Sequence, residues 1–265
     1  MVKLNILNMK NFLDTVNSCS GKVNMLCPDG KKQNINGEEK IQGSLWRQYS
    51  QNKNCLRLVL EVPNPTDYMN IQTAELALRE AAESNPGAWA EHSRYVAEAC
   101  KNIASHCKDL SSEQAYIFGL LHDIGRYAGV SSERHLIDGY RYCMERGWGK
   151  AAQICISHAF MIQDIATSIG EFDVSDEDYL FMKEFVANAV YDDYDRLVQL
   201  CDALAMPSGF CLLEKRFVDV TMRYGVHPAT IDRWKKILEI KERFEDQIGC
   251  SIYALLPGVM ENSFR

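Results

Sequence analysis

No apolar run in the chain approaches the roughly 20 residues that a membrane-spanning helix requires, so helical membrane insertion is excluded. Basic charge is also short: 29 Lys and Arg stand against 36 Asp and Glu, a formal net charge of -7. That balance disfavours a polynucleotide partner and leaves room only for a local basic pocket. The ten cysteines contain no C-x-x-C pair and no clustered spacing, which argues against a zinc ribbon or a thioredoxin-type motif. Internal repeats and low-complexity tracts are absent as well, so neither a solenoid nor a disordered linker protein is indicated. Met1-Val2-Lys3-Leu4-Asn5 does not open a sustained apolar signal segment. The expected compartment is the cytoplasm, with reduced thiols. Cys100, Cys155 and Cys201 lie in apolar helical stretches and read as small buried hydrophobes.

What is present is enough for a sizeable core: 265 residues with 46% hydrophobic content, in one large domain or two unequal ones. Near the N-terminus, Asn11 to Val16 starts an amphipathic helix and Lys22 to Leu26 alternates like a strand. Pro28-Asp29-Gly30 then supplies a turn, because proline presets one torsion and glycine permits a positive one. A helix over Glu38 to Tyr49 and a strand over Leu56 to Val62 complete a module of order helix, strand, strand, helix, strand. Pro63 and Pro65 mark a linker. Beyond Ile71 the period is helical. Trp89, His92, Val96 and Cys100 recur on one face, and Ser111-Ser112-Glu113-Gln114 resembles a capping box. That box opens a helix expected to stop at Gly125, and a last helix follows Pro228 through Trp234 and Ile240. The expected fold class is mostly α: a helical domain over 69-265 preceded by a small α/β module over 1-68.

The most informative dipeptide is His122-Asp123, set in the apolar run Phe118 to Arg126. Burying an unpaired carboxylate among leucines is costly unless a cation or donor compensates. A lone histidine on a helix is more often a hydrogen-bonded core or surface residue than a ligand. His106 falls under that plainer reading, since on a continuous helix it would stand about 21 Å along the axis from His92. So does His227, before Pro228, which is expected to cap a helix. His92, His135, His158 and Asp202 remain as partners for the pair.

The order His92, His122-Asp123, His135, His158, Asp202 resembles the HD-domain superfamily of metal-dependent phosphohydrolases, and Leu121-His122-Asp123-Ile124-Gly125 resembles its HDIG variant. The resemblance implies an all-helical HD-type bundle. It also implies that His92, His122, Asp123 and Asp202 hold one ion. His135 and His158 match the additional histidines of the binuclear branches, with Asp123 bridging two ions. Imidazole and carboxylate ligands suit Mn, Fe, Zn, Ni or Co better than Mg or Ca. Such an ion lowers the pKa of a coordinated water to about 7 and polarises a phosphoryl oxygen, so phosphoester hydrolysis centred on Asp123 is the expected chemistry. Arg126 and Arg134 are candidates to clamp phosphate, with a solvated charge as the equal alternative for each. Cys155 and Cys201 are not taken as ligands.

Asp192, Asp193 and Asp195 read as exposed or bonded to Arg196. Tyr179, Met182 and Phe185, with Phe181, form an apolar stripe whose default reading is core packing and whose minority reading is a base-stacking wall. The substrate stays open among mononucleotides, dinucleoside polyphosphates, cyclic nucleotides and small phosphate esters, and so does the oligomeric state. Two other functions stay open beside the hydrolase: an HD-fold diiron oxygenase, and a regulatory HD protein that binds a nucleotide or metal.

Overall fold

The computed structural model describes residues 2–19, 22–61 and 69–264, and the chain divides into two compact units, 1–68 and 69–265. The linker expected around Pro63 and Pro65, and Val62 at the end of the last predicted strand, lie outside the described residues.

The first unit runs β1 (Val2–Ile6), α1 (Met9–Ser18), β2 (Asn24–Leu26), β3 (Lys32–Asn34), α2 (Glu39–Gln51) and β4 (Leu56–Glu61). The predicted order lacked β1, which pairs antiparallel with β4 from Val2↔Leu60 to Ile6↔Leu56. The sheet order is β1-β4-β2-β3 with every neighbour antiparallel. Strands β1 and β2 are therefore parallel with β4 between them, and β3 and β4 are parallel with β2 between them. Two βαβ crossovers interleave. Alternation decides which face of β4 is buried: Leu56, Leu58 and Leu60 point into a core with Ile6, Met9, Val16, Ile35 and Leu45. The turn between β2 and β3 closes as expected, with the Gly30 N–H donating to the Cys27 carbonyl at 2.9 Å.

The second unit is helical: α3 (Ile71–Ser84), α4 (Ala88–Ala104), α5 (Ser112–Leu121), α6 (Arg134–Glu145), α7 (Gly149–Ser157), α8 (Asp176–Asn188), α9 (Asp193–Asp202), α10 (Leu213–Tyr224), α11 (Thr230–Ile248) and α12 (Val259–Ser263). A short hairpin, β5 (Ala205–Met206) and β6 (Gly209–Phe210), separates α9 from α10. The helix after Pro228 is not the last, because α12 follows it. Helix α5 lies at the centre, buried on every side from Ala115 to Leu121, and packs against α3, α4, α7 and α9. Its seam with α4 needs a missing side chain, since a Cβ at Gly119 would stand 2.8 Å from the Ala97 Cα. Ser111 caps α5 by accepting from the Gln114 N–H at 3.3 Å. The reciprocal two-way box sits instead at Asp192 and Asp195, at the start of α9.

The expected stop at Gly125 is corrected in one respect. Helix α5 ends at Leu121, and Gly125 lies inside a 3-10 segment, Ile124–Ala128. Its glycine is required by proximity: a Cβ there would fall 1.9 Å from the His135 carbonyl oxygen and 2.3 Å from the Gly139 nitrogen. Among the described residues, no helix is long and apolar enough to cross a membrane.

Candidate metal centre

The six expected ligands come from five separate elements. His92 lies on the buried face of α4 beside Val96 and Cys100. His122 is the residue just past α5, Asp123 occupies the turn that follows, and His135 is in the first turn of α6. His158 directly follows α7, and Asp202 is the final residue of α9. Ending the helices here lets side chains converge in a way that a continuous helix, turning about 100° per residue, would not allow. Three helix C-termini meet at this cluster. Each carries roughly half a negative charge, and together they favour a cation.

Three of the imidazoles are oriented by backbone. The Nδ1–H of His122 donates to the Gly119 carbonyl at 2.7 Å, and that of His158 to the Ile154 carbonyl at 3.0 Å. His135 makes the same type of bond to Ser132. Burial lowers His122 to a pKa of about 4 and pulls His158 below its ordinary value. Both rings are neutral near pH 7, and with the single proton on Nδ1 each presents an Nε2 lone pair inward. The Nε2 atoms of His135 and His158 stand 3.1 and 3.6 Å from Asp123 Oδ1, and that of His122 stands 3.9 Å from Asp123 Oδ2. Burial would raise the Asp123 carboxyl, but the charge of Arg126 beside it, supported more weakly by the neighbouring imidazoles, holds the group well below the usual carboxylate range. Imidazole lone pairs thus face a carboxylate across a buried space. His122 Nε2 and Asp123 Oδ1 have no hydrogen-bond partner there.

On the opposite side, His92 Nε2–H donates to Asp202 Oδ1 at 2.8 Å, which leaves His92 Nδ1 buried and unpartnered. Burial again works against ionisation of Asp202, yet the hydrogen bond from His92 and the charge of Arg216 keep it a carboxylate. The potential ligand atoms fall into two groups, each within 4.8 Å: His92, His122 and Asp202, and then His122, Asp123 and His158. His122 belongs to both. This division differs from the expected one, which placed Asp123 with His92 and Asp202. His135 meets Asp123 without joining either group.

The cluster, apart from the deeper His122, opens into a cavity of about 530 Å³. Arg126 lines it, with Nε donating to Asp123 Oδ2 at 2.6 Å and Nη2 lying 3.3 Å from His135 Nε2. Arg134 is not brought there: its exposed side chain pairs with Asp138 at 3.2 Å. No pattern in the sequence marks Arg216, whose Nη2 lies 3.6 Å from Asp202 Oδ1, or the parallel stack of Phe217 on Trp234 in the cavity wall. The Tyr179 stripe does not line the cavity. Met182 and Val186 are core, with Tyr179 and Phe185 packed against them. His106 is exposed, and the His227 ring caps the end of α10 through the Tyr224 carbonyl at 2.9 Å. Among the described residues the cysteines are free, and burial raises the Cys155 and Cys201 thiols well above their ordinary value.

Asp195 departs from expectation. It is fully buried and bonded to Lys150, to Gln153 at 2.9 Å and to the Ser157 hydroxyl at 2.6 Å, while Arg196 turns to the Met161 carbonyl and Gln199. This network ties α7, which ends beside His158, to α9, which ends at Asp202. Asp195→Ala would leave the Ser157 hydroxyl without its acceptor and the Lys150 ammonium with Asp192 alone, 2.9 Å away, and a loss of about 2 kcal/mol is expected. Urea unfolding measures it, and a change below about 1 kcal/mol would remove the anchoring role.

Residues 71–154 match the family model of the HDOD domain, an HD-related domain, which supports an HD-like superfamily assignment for this part of the chain. The matched span contains His92, His122, Asp123 and His135, and stops before His158 and Asp202. No curated protein and no solved structure matches the chain.

Proposed function

We propose that residues 69–265 form a divalent-metal-dependent phosphohydrolase of the HDIG type, acting on a nucleotide or small phosphate ester. The observation that carries this is the pairing of two buried unpartnered atoms, His122 Nε2 and Asp123 Oδ1, at the meeting point of three helix C-termini. Leaving such atoms unsatisfied costs about 1–3 kcal/mol each, and a cation satisfies both. A nitrogen-rich donor set suits Mn, Fe, Co, Ni or Zn. His92, His122 and Asp202, with Asp123 drawn in from the neighbouring group that shares His122, would hold one ion, and His135 and His158, sharing Asp123, a second. When bound, such an ion supplies a Lewis acid and a nucleophilic water near neutral pH.

The protein's own groups orient and hold. Backbone carbonyls fix three imidazoles in one tautomer, as second-shell partners of metal ligands do. Arg126, aligned by Asp123 and lining the cavity, would hold the scissile phosphate. Arg134, paired at the surface, is left out of that task. The remaining cavity volume admits a ligand larger than phosphate, and the Phe217 and Trp234 wall suits a planar base.

The HDOD match favours a second reading, an HD-like domain that binds a nucleotide or metal for regulation without turnover. Metal analysis of the purified protein, followed by phosphate-release assays on nucleotides and small esters with each metal, separates the two. The hydrolase requires release that depends on added Mn, Fe, Co, Ni or Zn. Binding without release would establish the regulatory reading. Two irons with oxygen consumption and no phosphate release would indicate the oxygenase.

A further inference from the structure

Four arginines line the cavity among the described residues, and their pairing differs. Arg126 is bonded to Asp123 at 2.6 Å, Arg216 lies 3.3 Å from Asp219 and 3.6 Å from Asp202, and Arg223 lies 2.8 Å from Asp219. Arg233 has no carboxylate within ion-pair distance among the described residues. It stands in the first turn of α11 and donates from Nη1 to two carbonyls, Ala159 and Thr167, both at 3.0 Å. Those bonds use both Nη1 hydrogens. The Nε–H and the Nη2 hydrogens have no hydrogen-bond partner among the described residues. They lie along one edge of the guanidinium, the parallel fork that matches two oxygens of an oxyanion.

The surroundings strengthen this. Burial pulls Arg233 below the ordinary guanidinium range despite the opposing charges of Glu133 and Asp202. Glu133 is engaged elsewhere, accepting from the Ser168 hydroxyl at 2.7 Å and the Gly170 N–H at 3.0 Å. A guanidinium does not deprotonate in this setting, so its open edge carries charge with little water to screen it. Thr230, the first residue of α11, also lines the cavity, which brings the positive end of a 19-residue helix to the same place. The Ala159 carbonyl that Arg233 holds belongs to the residue next to His158.

We propose that the open edge of Arg233 binds a second oxyanion of the substrate, apart from the scissile phosphate. The substrate class is then a doubly anionic phosphate ester, a nucleoside diphosphate or a bisphosphate. The assignment of the scissile group rests on the hydrolase reading; the anion site itself does not.

The test begins with wild-type protein freed of metal by EDTA, probed by calorimetry with inorganic phosphate and pyrophosphate. Both anions bind without metal if the site exists. Arg233→Lys keeps the charge but loses the fork, and weakens both anions about tenfold or more. In turnover, Arg233→Lys raises the ratio of KM for a nucleoside diphosphate to KM for p-nitrophenyl phosphate by about tenfold. Absence of anion binding by the metal-free wild type overturns the proposal without recourse to any variant, and so does equal binding by a folded Arg233→Lys protein. Anion binding through Arg233 in a protein that hydrolyses no ester would leave this site standing and sink the hydrolase.

Discussion

Asp123→Ala is expected to abolish metal retention and to lower metal-dependent turnover by more than about 100-fold, because even outer-shell partners of metal ligands are worth 10–100-fold. Among the described residues, Asp123 is the one carboxylate that faces His122, His135 and His158 together. Absolute stability is a poor readout, since the substitution both strands Arg126 and relieves the crowding of imidazole lone pairs against a carboxylate. The metal-dependent part of stability is the better one. A ligand present at 1,000 times its Kd stabilises the folded state by about 4 kcal/mol. EDTA should therefore lower the melting temperature of the wild type and leave that of Asp123→Ala unmoved. An equal EDTA response in the two proteins would show that the ion, if any, binds elsewhere.

The second large effect is expected at Gly125. A Cβ placed there meets backbone on the facing segment: the His135 carbonyl oxygen at 1.9 Å, the Gly139 nitrogen at 2.3 Å and the Gly139 Cα at 2.9 Å. None of these can rotate away. Gly139 is itself confined by Cys155, whose Sγ and Cβ would stand 3.0 and 3.1 Å from an added methyl. Gly125→Ala should cost about 3 kcal/mol or more, the upper end of overpacking penalties. At roughly 2–4 °C per kcal/mol for a domain of this size, the melting temperature falls by about 10 °C. Moving α6 outward also separates His135 from Asp123, so the variant should lose affinity for a second ion before it loses the first. A melting temperature within about 2 °C of the wild type would refute the close approach.

The sequence made some of this legible and hid the rest for identifiable reasons. Helical period marked the buried face of α4 that carries His92, alternation marked β2 and β4, and the turn after β2 implied β3. The mostly-α class with an N-terminal α/β module followed from those patterns. Strand β1 was missed although Val2, Leu4 and Ile6 alternate with Lys3 and Asn5, because no turn signal precedes so short a run. Gly125 looked like a helix stop because a glycine needed for close approach and one needed for a positive torsion are identical in sequence. Asp195 looked exposed because the lysine that balances it, Lys150, lies far away along the chain. Arg216 and Arg233 sit on amphipathic helices, where periodicity cannot tell a solvated charge from one lining a cavity. The structure brings the six candidate ligands to one region, yet it distributes them into two overlapping groups that residue order alone could not specify.

The strand order β1-β4-β2-β3 bears on how the first unit is made during translation. Its earliest strand pairs with its latest, Val2 against Leu60, and the latest lies second in the sheet with neighbours on both sides. The β2–β3 hairpin is local and can close while the chain is still emerging from the ribosome. Strand β1 must wait until β4 has left the exit tunnel, because no other described strand pairs with it. Non-local pairing of this kind slows folding, and until it completes the nascent unit carries two unsatisfied edges open to other chains. A lesion in β4 would then release β1 and the hairpin together, so the sheet would collapse at once instead of fraying from one side.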